Sequence, residues 1–204
     1  PQALIGSNHH LSPNPGEDFQ MFEKDLPGKG TKDFATSADD IGNLPLEVCE
    51  TINGSWGFNL KDRKHKSEKE LVQYLVKAAG YGSNLLLNVG PMPNGKIQDE
   101  HIESLKKIGK WVKQNGQTIY NTKRGPISPS DEIASTQDGN IVYIHLLDNN
   151  KSEYFIEGFK SKFKNISYLD SNKKVSYKKT KTGLHLILDK KEINSIDTIL
   201  IMEL

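Results

Sequence analysis

Short apolar runs and amphipathic stretches alternate along the first 122 residues. The apolar runs lie at 3–6, 44–51 and 84–90, and a helix-like stretch follows each of the last two. This alternation is typical of a parallel sheet in an α/β fold. The third run, NLLLNVG, is apolar at both alternating positions, which predicts a strand buried on both faces.

Both predicted helices carry start and stop signals. Ser67 followed three residues later by Glu70 is a capping box, and Gly80 ends an apolar stripe. The second helix is predicted to begin near Asp99 and to end at Gly116. Each helix has one apolar face, so each is expected to cover one face of a sheet.

The pattern changes after the segment RGPISPS, whose glycine and two prolines are typical of a domain boundary. Short alternating runs separated by turn residues follow, and Asp138-Gly139 between two of them predicts a hairpin. About seven such runs without a helical period predict an antiparallel β-sandwich. The predicted domains are 1–123, with an α/β fold, and 124–204, all-β.

Composition argues against several classes of partner. The chain is 35% hydrophobic and has no apolar run long enough to span a membrane, so no membrane partner is expected. Lys and Arg number 27 against 26 for Asp and Glu, so no nucleic-acid partner is expected either. Lysines in the last third alternate with strand residues, which favours solvated sheet edges over a polyanion site. A single cysteine, Cys49, excludes an intrachain disulfide.

Polar segments follow the predicted strands, where folds of the parallel barrel kind carry functional side chains. These segments are SNHH at 7–10, INGSWGFN at 52–59 and GPMPNG at 90–95. A fourth segment, the acidic stretch GEDFQMFEKDLPG at 16–28, is expected in the long connection between the first two strands. All four are expected to gather at one end of the sheet.

The residue types in these segments suit a carbohydrate. Sugar sites combine carboxylates, hydrogen-bonding His or Asn, and an exposed aromatic face that covers the apolar side of the ring. The chain supplies this set with Glu23, His9, His10, Asn53 and Trp56. Glycoside hydrolysis requires a second carboxyl group as well.

Within the acidic stretch, Glu23 is the candidate for chemistry. Phe19 and Phe22 are expected to desolvate its carboxyl group, as suits a general acid. Asp18 is expected to shape the loop, and Asp25 to stay solvated.

Each candidate also has a plainer interpretation. Glu23 could be a surface acid, and Trp56 could be a core residue; both interpretations stay open on the residues alone. His9 and His10 could form a metal pair, but neighbours on an extended chain point to opposite faces and rarely bind one ion. No metal is therefore expected.

Four motifs in order resemble the α-L-fucosidases of glycoside hydrolase family 29. They are EDFQMFE (17–23), LPLEVCETINGSWGFN (44–59), NLLLNVGPMPNGKI (84–97) and IGKWVKQNGQTIYNT (108–122). The resemblance covers the chain up to about residue 125. For the rest of the chain, the resemblance rests only on its position after the barrel and on its predicted β-structure. It implies the C-terminal portion of a (β/α)8-like barrel followed by the β-sandwich domain that the family commonly carries.

The resemblance implies a retaining exo-hydrolase that removes α-linked L-fucose from oligosaccharides or glycoconjugates without a cofactor. The family's acid/base glutamate closes a D-F-x-x-x-E pattern, which maps onto Glu23. The aromatic residue that lines the pocket near the fucose methyl maps onto Trp56. A sugar-contacting residue that is arginine in some members passes here to His9 or His10. The family also suggests a periplasmic or secreted protein.

The family's aspartate nucleophile has no match in this sequence and is expected upstream of Pro1. Retention needs two carboxyl groups about 5 to 5.5 Å apart, so the chain alone is expected to be inactive. Exposed strand edges of an unclosed barrel favour association with the N-terminal part of the same protein. Two competing hypotheses remain: a carbohydrate-binding or interaction module of a larger glycosidase, and a retaining glycosidase of another sugar.

Overall fold

The structure is a computed structural model that describes residues 3–8, 13–28 and 41–204. Two compact units make up the chain. The first comprises Pro1–Leu71 and Tyr81–Lys113, and the second comprises Val72–Gly80 and Gln114–Leu204. In the part of the chain so described, no helix is long and apolar enough to cross a bilayer.

The first unit contains a parallel sheet whose strand order equals the chain order. Its strands are β1 (Gly6–Ser7), β2 (Phe19–Glu23), β3 (Leu46–Thr51) and β4 (Ser83–Asn88). Two helices follow β3 and β4 in the chain, α1 (Glu68–Gly80) and α2 (Asp99–Asn115). The predicted parallel sheet and both predicted helices are thus confirmed.

The prediction that the acidic stretch lies in a connection was wrong, because its centre forms strand β2. Gln20 and Phe22 are buried on one face of this strand, while Phe19 and Glu23 lie half-buried on the other. Phe22 therefore cannot desolvate the carboxyl group of Glu23, since alternate residues of a strand point to opposite faces. Asp25 is also not solvated as expected, because it is 9% exposed.

The prediction that the third apolar run is buried on both faces was wrong as well. Leu86, at the centre of β4, is 49% exposed. Strand β4 lies at one edge of the sheet as far as the structure describes it, and β1 lies at the other. Strand β4 thus has more apolar residues than the described part of the chain buries.

The second unit contains two antiparallel sheets, which confirms the predicted antiparallel pairing. One has the order β5 (Lys123–Arg124), β6 (Ile133–Asp138), β7 (Ile141–Leu146), β12 (Thr198–Glu203), β9 (Asn165–Tyr168). The other has the order β10 (Ser176–Lys179), β11 (Gly183–Ile187), β8 (Glu153–Glu157). Apolar side chains of both sheets meet in one buried cluster that includes Ile144, Leu186 and Leu200.

The predicted hairpin joins β6 to β7. Asp138 pairs with Ile141, and Gly139 between them has a φ of 54°, in the left-handed region that glycine enters without strain. A two-residue turn of this kind sets the register of the two strands.

The predicted capping box at the start of α1 is present. The Ser67 backbone N–H donates to Glu70 Oε2 at 2.7 Å, and the Glu70 N–H donates to Ser67 Oγ at 3.2 Å. The Ser67 backbone N–H and then the Ser67 hydroxyl, which donates to Glu70 Oε2 at 2.7 Å, hold the pKa of Glu70 below its ordinary value, because both favour the charged carboxylate.

Substituting Ser67→Ala is expected to destabilise the chain by about 1 kcal/mol, because an N–H of the first turn loses its acceptor. Urea unfolding followed by circular dichroism at 222 nm would measure the loss. Ser67→Thr is the matched control, since threonine retains the hydroxyl acceptor. Equal stability of the alanine and threonine variants would contradict a contribution from the cap.

Candidate functional site

The carboxyl ends of the four parallel strands lie at the same edge of the first sheet. Parallel pairing aligns Glu23 at the end of β2 with Cys49 of β3, and Thr51 at the end of β3 with Asn88 of β4. Asn8 directly follows β1. Polar side chains from distant parts of the sequence therefore come together at this edge.

The carboxylate of Glu23 accepts hydrogen bonds on both of its oxygens. Trp56 Nε1–H donates to Oε1 at 2.8 Å, and Asn8 Nδ2–H donates to Oε2 at 2.5 Å. The two donors lie on segments that follow β3 and β1. Donors on both sides fix the orientation of the carboxyl plane.

Trp56 is not a core residue, since 36% of its surface is exposed. The Lys24 ammonium lies 5.0 Å from the centroid of the Trp56 ring, a cation–π contact. On the backbone side, Asn88 Nδ2–H donates to the Trp56 carbonyl at 2.8 Å. The indole is thus held in place while part of it remains open to solvent.

Lys24, which contacts the Trp56 ring, has a left-handed backbone with a φ of 60°. This conformation follows Glu23 directly at the end of β2. The ammonium also donates to the Gly54 carbonyl at 2.8 Å. One side chain therefore contacts both the ring of Trp56 and the backbone two residues before it.

Asp62 closes the loop that carries Trp56. Its Oδ2 accepts the backbone N–H groups of Gly54 at 2.9 Å and Ser55 at 2.7 Å. Hydrogen bonds from Ser55, first through its side chain, lower the pKa of Asp62. The carboxylate thus stays ionised and supports the turn of the loop.

Gly90 allows the segment after β4 to approach the same loop. A Cβ added at this position would lie 2.5 Å from the carbonyl carbon of Gly57 and 2.5 Å from the backbone nitrogen of Phe58. Backbone atoms cannot move aside as a flexible side chain can. Only glycine fits here without displacing the Trp56 loop.

Cys49 lies beside Glu23 across the β2–β3 pair. Burial raises the pKa of its thiol, and the negative charge of Glu23 raises it further. The thiol can therefore report on the charge of the neighbouring carboxyl group.

The structure brings together some of the predicted residues and not others. Glu23 and Trp56 are in direct contact. Asn53 is only 3% exposed and does not present its side chain as a sugar site requires. His9 and His10 lie outside the residues that the structure describes.

Sequence reasoning did not single out Asn8, Lys24, Asp62 or Asn88. Asn8 and Asn88 could have been found from their positions at strand ends. Lys24 and Asp62 could not have been found in this way. Lys24 follows its strand in a left-handed conformation, and Asp62 acts through a contact with the backbone of a loop. No group of three or more His, Cys, Asp or Glu side chains suited to a metal ion occurs in the ranges that the structure covers.

The arrangement offers a carboxyl group that can donate or accept a proton, with a partly exposed aromatic ring bonded to it. Such a pair can protonate an oxygen of a bound molecule while the ring covers an apolar face of that molecule.

Substituting Glu23→Gln is expected to lower the pKa of the Cys49 thiol, because a negative charge beside the thiol is removed. Iodoacetamide alkylation rates measured across pH would then reach their midpoint at lower pH. Glu47→Gln should give a smaller shift in the same direction, and Glu103→Gln, on the exposed side of α2, should give none. An unchanged midpoint in the Glu23 variant would contradict the proximity of the two groups in solution.

Substituting Lys24→Met is expected to loosen the Trp56 loop by roughly 1–2 kcal/mol, since a cation–π contact and a hydrogen bond are lost. Acrylamide quenching of Trp56 fluorescence, measured in a Trp111→Phe background, should increase. Lys61→Met, at a nearby exposed lysine, is the control and should leave quenching unchanged. Equal quenching in both variants would show that Lys24 does not hold the loop.

Comparison with known proteins relates the chain to one family. Residues 1–117 match the family model described as alpha-L-fucosidase. Plasma alpha-L-fucosidase of Homo sapiens is 39% identical over 79 residues, which are 37% of this chain and 17% of that protein.

Solved structures extend the likeness over most of the chain. Alpha-L-fucosidase isoenzyme 1 from Paenibacillus thiaminolyticus aligns with a TM-score of 0.74 and 27% identity, over 91% of this chain and 45% of its own. The Thermotoga maritima alpha-fucosidase aligns with a TM-score of 0.75 and 26% identity, over 93% and 43%. The Thermotoga enzyme has also been solved in complex with fucose. The chain thus spans less than half the length of these structures.

Proposed function

This chain belongs to the alpha-L-fucosidase family, and we propose that it is the C-terminal part of a retaining exo-α-L-fucosidase. The intact protein would hydrolyse α-linked L-fucose from oligosaccharides or glycoconjugates. The observation that carries the proposal is the Glu23 carboxyl group, held at the strand ends by Trp56 and Asn8.

Glu23 is the general acid/base of this proposal. In the first step its protonated form donates to the glycosidic oxygen while the second carboxylate bonds to the anomeric carbon, and the glycosidic bond breaks to give the glycosyl-enzyme. In the second step its carboxylate removes a proton from the attacking water, which then hydrolyses the glycosyl-enzyme. The two hydrogen bonds to Glu23 support this role. A carboxyl group that is already oriented loses less conformational entropy when it reaches the geometry needed for proton transfer.

Trp56 is the proposed contact for the sugar, together with His9 and His10. The partly exposed indole supports this role, since an aromatic face covers apolar carbon–hydrogen groups such as the fucose methyl. Because its N–H binds Glu23, the ring and the acid would keep a constant relation to each other when substrate binds.

The second carboxyl group is proposed to come from the N-terminal part of the same protein, as an aspartate nucleophile. Among the residues described, β1 and β4 are the edges of the sheet, and Leu86 is exposed on β4. Both features support further strands and helices that complete a (β/α)8-like barrel. This chain alone would then lack turnover.

The proposed domains are 1–123, the end of the barrel, and 124–204, a β-sandwich. Two antiparallel sheets that share one buried apolar cluster support the second assignment.

In the intact protein, Glu23→Gln should reduce turnover of natural fucosides by about two orders of magnitude or more, since proton transfer to the leaving oxygen is lost. Glu17→Gln is the matched control, because Glu17 lies in the same acidic stretch but accepts the Asn14 backbone N–H at 2.9 Å. Near-normal turnover in the Glu23 variant would remove it from the mechanism. Preference for a galactoside or glucuronide over a fucoside would contradict the proposed substrate.

Azide provides a second test of the same residue. In a Glu23→Ala variant azide can replace water in attacking the glycosyl-enzyme, so activity should recover with α-fucosyl azide as product. The β-anomer would instead indicate a missing nucleophile, and would show that Glu23 is not the acid/base.

A further inference from the structure

A cavity of about 290 Å³ lies in the second unit, between the segment after β8 and the β10–β11 hairpin. The residues that give it chemical character are Phe159, Lys160, Ser161, Lys162, Lys179 and Thr180. Three lysines and two hydroxyl groups thus meet at one concave surface, and no acidic residue lines it.

The three lysines of the cavity differ from two other lysines of the second unit, which are paired with acids. Lys164 pairs with Glu203 at 2.6 Å, and Lys173 pairs with Glu192. Within the described residues, no ion pair joins a carboxylate to Lys160, Lys162 or Lys179. Three like charges around one cavity repel each other, so an anion bound there would relieve that repulsion.

One ammonium is positioned by an aromatic ring. Lys179 Nζ lies 3.9 Å from the centroid of the Phe163 ring. Phe163 packs against Phe159 with a centroid distance of 6.1 Å and against Tyr177 at 5.0 Å. Tyr177 is 43% exposed, so a row of aromatic rings extends from the cavity to the surface.

We propose that this cavity binds an anionic sugar, one that carries a sulfate or carboxylate group. Lysine ammoniums and the Ser161 hydroxyl would bind the anionic group, and the Phe159 ring would cover an apolar face of the sugar. The volume of about 290 Å³ lies just below the range for small-molecule sites, about 300–1,000 Å³, which suits a ligand of one or two sugar rings. The choice of a sugar rests on the proposed function, whereas the choice of an anion rests on the lysines.

A polynucleotide fits these features less well. Its affinity comes from many phosphate contacts, on the order of 6–10, along an extended basic surface. The cavity offers three lysines, and the whole chain has a net charge of only +1. An anionic membrane would favour a flat basic face over a concave site lined by an aromatic ring.

Titration calorimetry on the 204-residue chain tests the proposal. The probes are a sulfated galactan tetrasaccharide, an oligogalacturonate of equal length and a neutral galactan tetrasaccharide. We expect the two anionic sugars to bind at least about tenfold more tightly than the neutral one, and the difference to shrink as salt is raised. Equal binding of all three, or no binding of the anionic sugars, would overturn the proposal.

Variants locate the binding. Joint substitution of Lys160, Lys162 and Lys179 by glutamine should weaken binding of the anionic sugars at least about tenfold. The matched control replaces Lys106, Lys107 and Lys110, exposed on α2, and changes the net charge equally. Arginine at all three cavity positions should restore binding, which separates lost charge from lost folding. An equal effect of the cavity and control variants would overturn the site.

Two further probes decide the ligand class, and one variant separates this inference from the proposed function. Binding of phosphatidylserine vesicles or of a 20-base-pair DNA duplex, without binding of the anionic sugars, would overturn the choice of a sugar. Glu23→Gln should leave anionic-sugar binding unchanged. A fully active Glu23 variant of the intact protein would therefore refute the proposed chemistry while the binding result stands by itself.

Discussion

The register between β2 and β3 is the constraint on which the candidate site depends. It places Glu23 beside Cys49 at the ends of two parallel strands, with the carboxyl group on the half-buried face of the sheet. A slip of one residue would turn Glu23 to the face where Phe22 is now fully buried, at a large cost in desolvation. The buried Phe22 thus acts on the site indirectly, by fixing which face its neighbour occupies.

Once the register is set, the Trp56 loop is held from several directions. Asp62 binds its backbone, Lys24 contacts its ring and Asn88 binds its carbonyl. Gly90 lets the next segment pack against it without a side chain between them. An exposed indole would otherwise sample several rotamers, so these contacts supply the order that the proposed proton transfer needs.

The sequence was informative where structure depends on local signals. The capping box of Ser67 and the glycine turn after Asp138 act over a few residues, and both are present as predicted. Strand β2 was not predicted because its five residues, FQMFE, lie among acidic residues that are typical of a loop. Buried and half-buried positions nevertheless alternate along these five residues. The exposure of Leu86 and the contact of Lys24 with Trp56 depend on distant residues, which periodicity along the chain cannot supply.

Net charge carries no information about where the charged side chains lie. A net charge of +1 and lysines interspersed among strand residues predicted solvated lysines, and Lys160, Lys162 and Lys179 are indeed exposed. Lys160 and Lys162 lie in the segment between β8 and β9 and Lys179 ends β10, yet all three line one cavity. A count of charges is insensitive to this grouping, because acids elsewhere balance the sum without approaching the lysines. A protein of balanced charge can therefore still present several lysines at one concave surface.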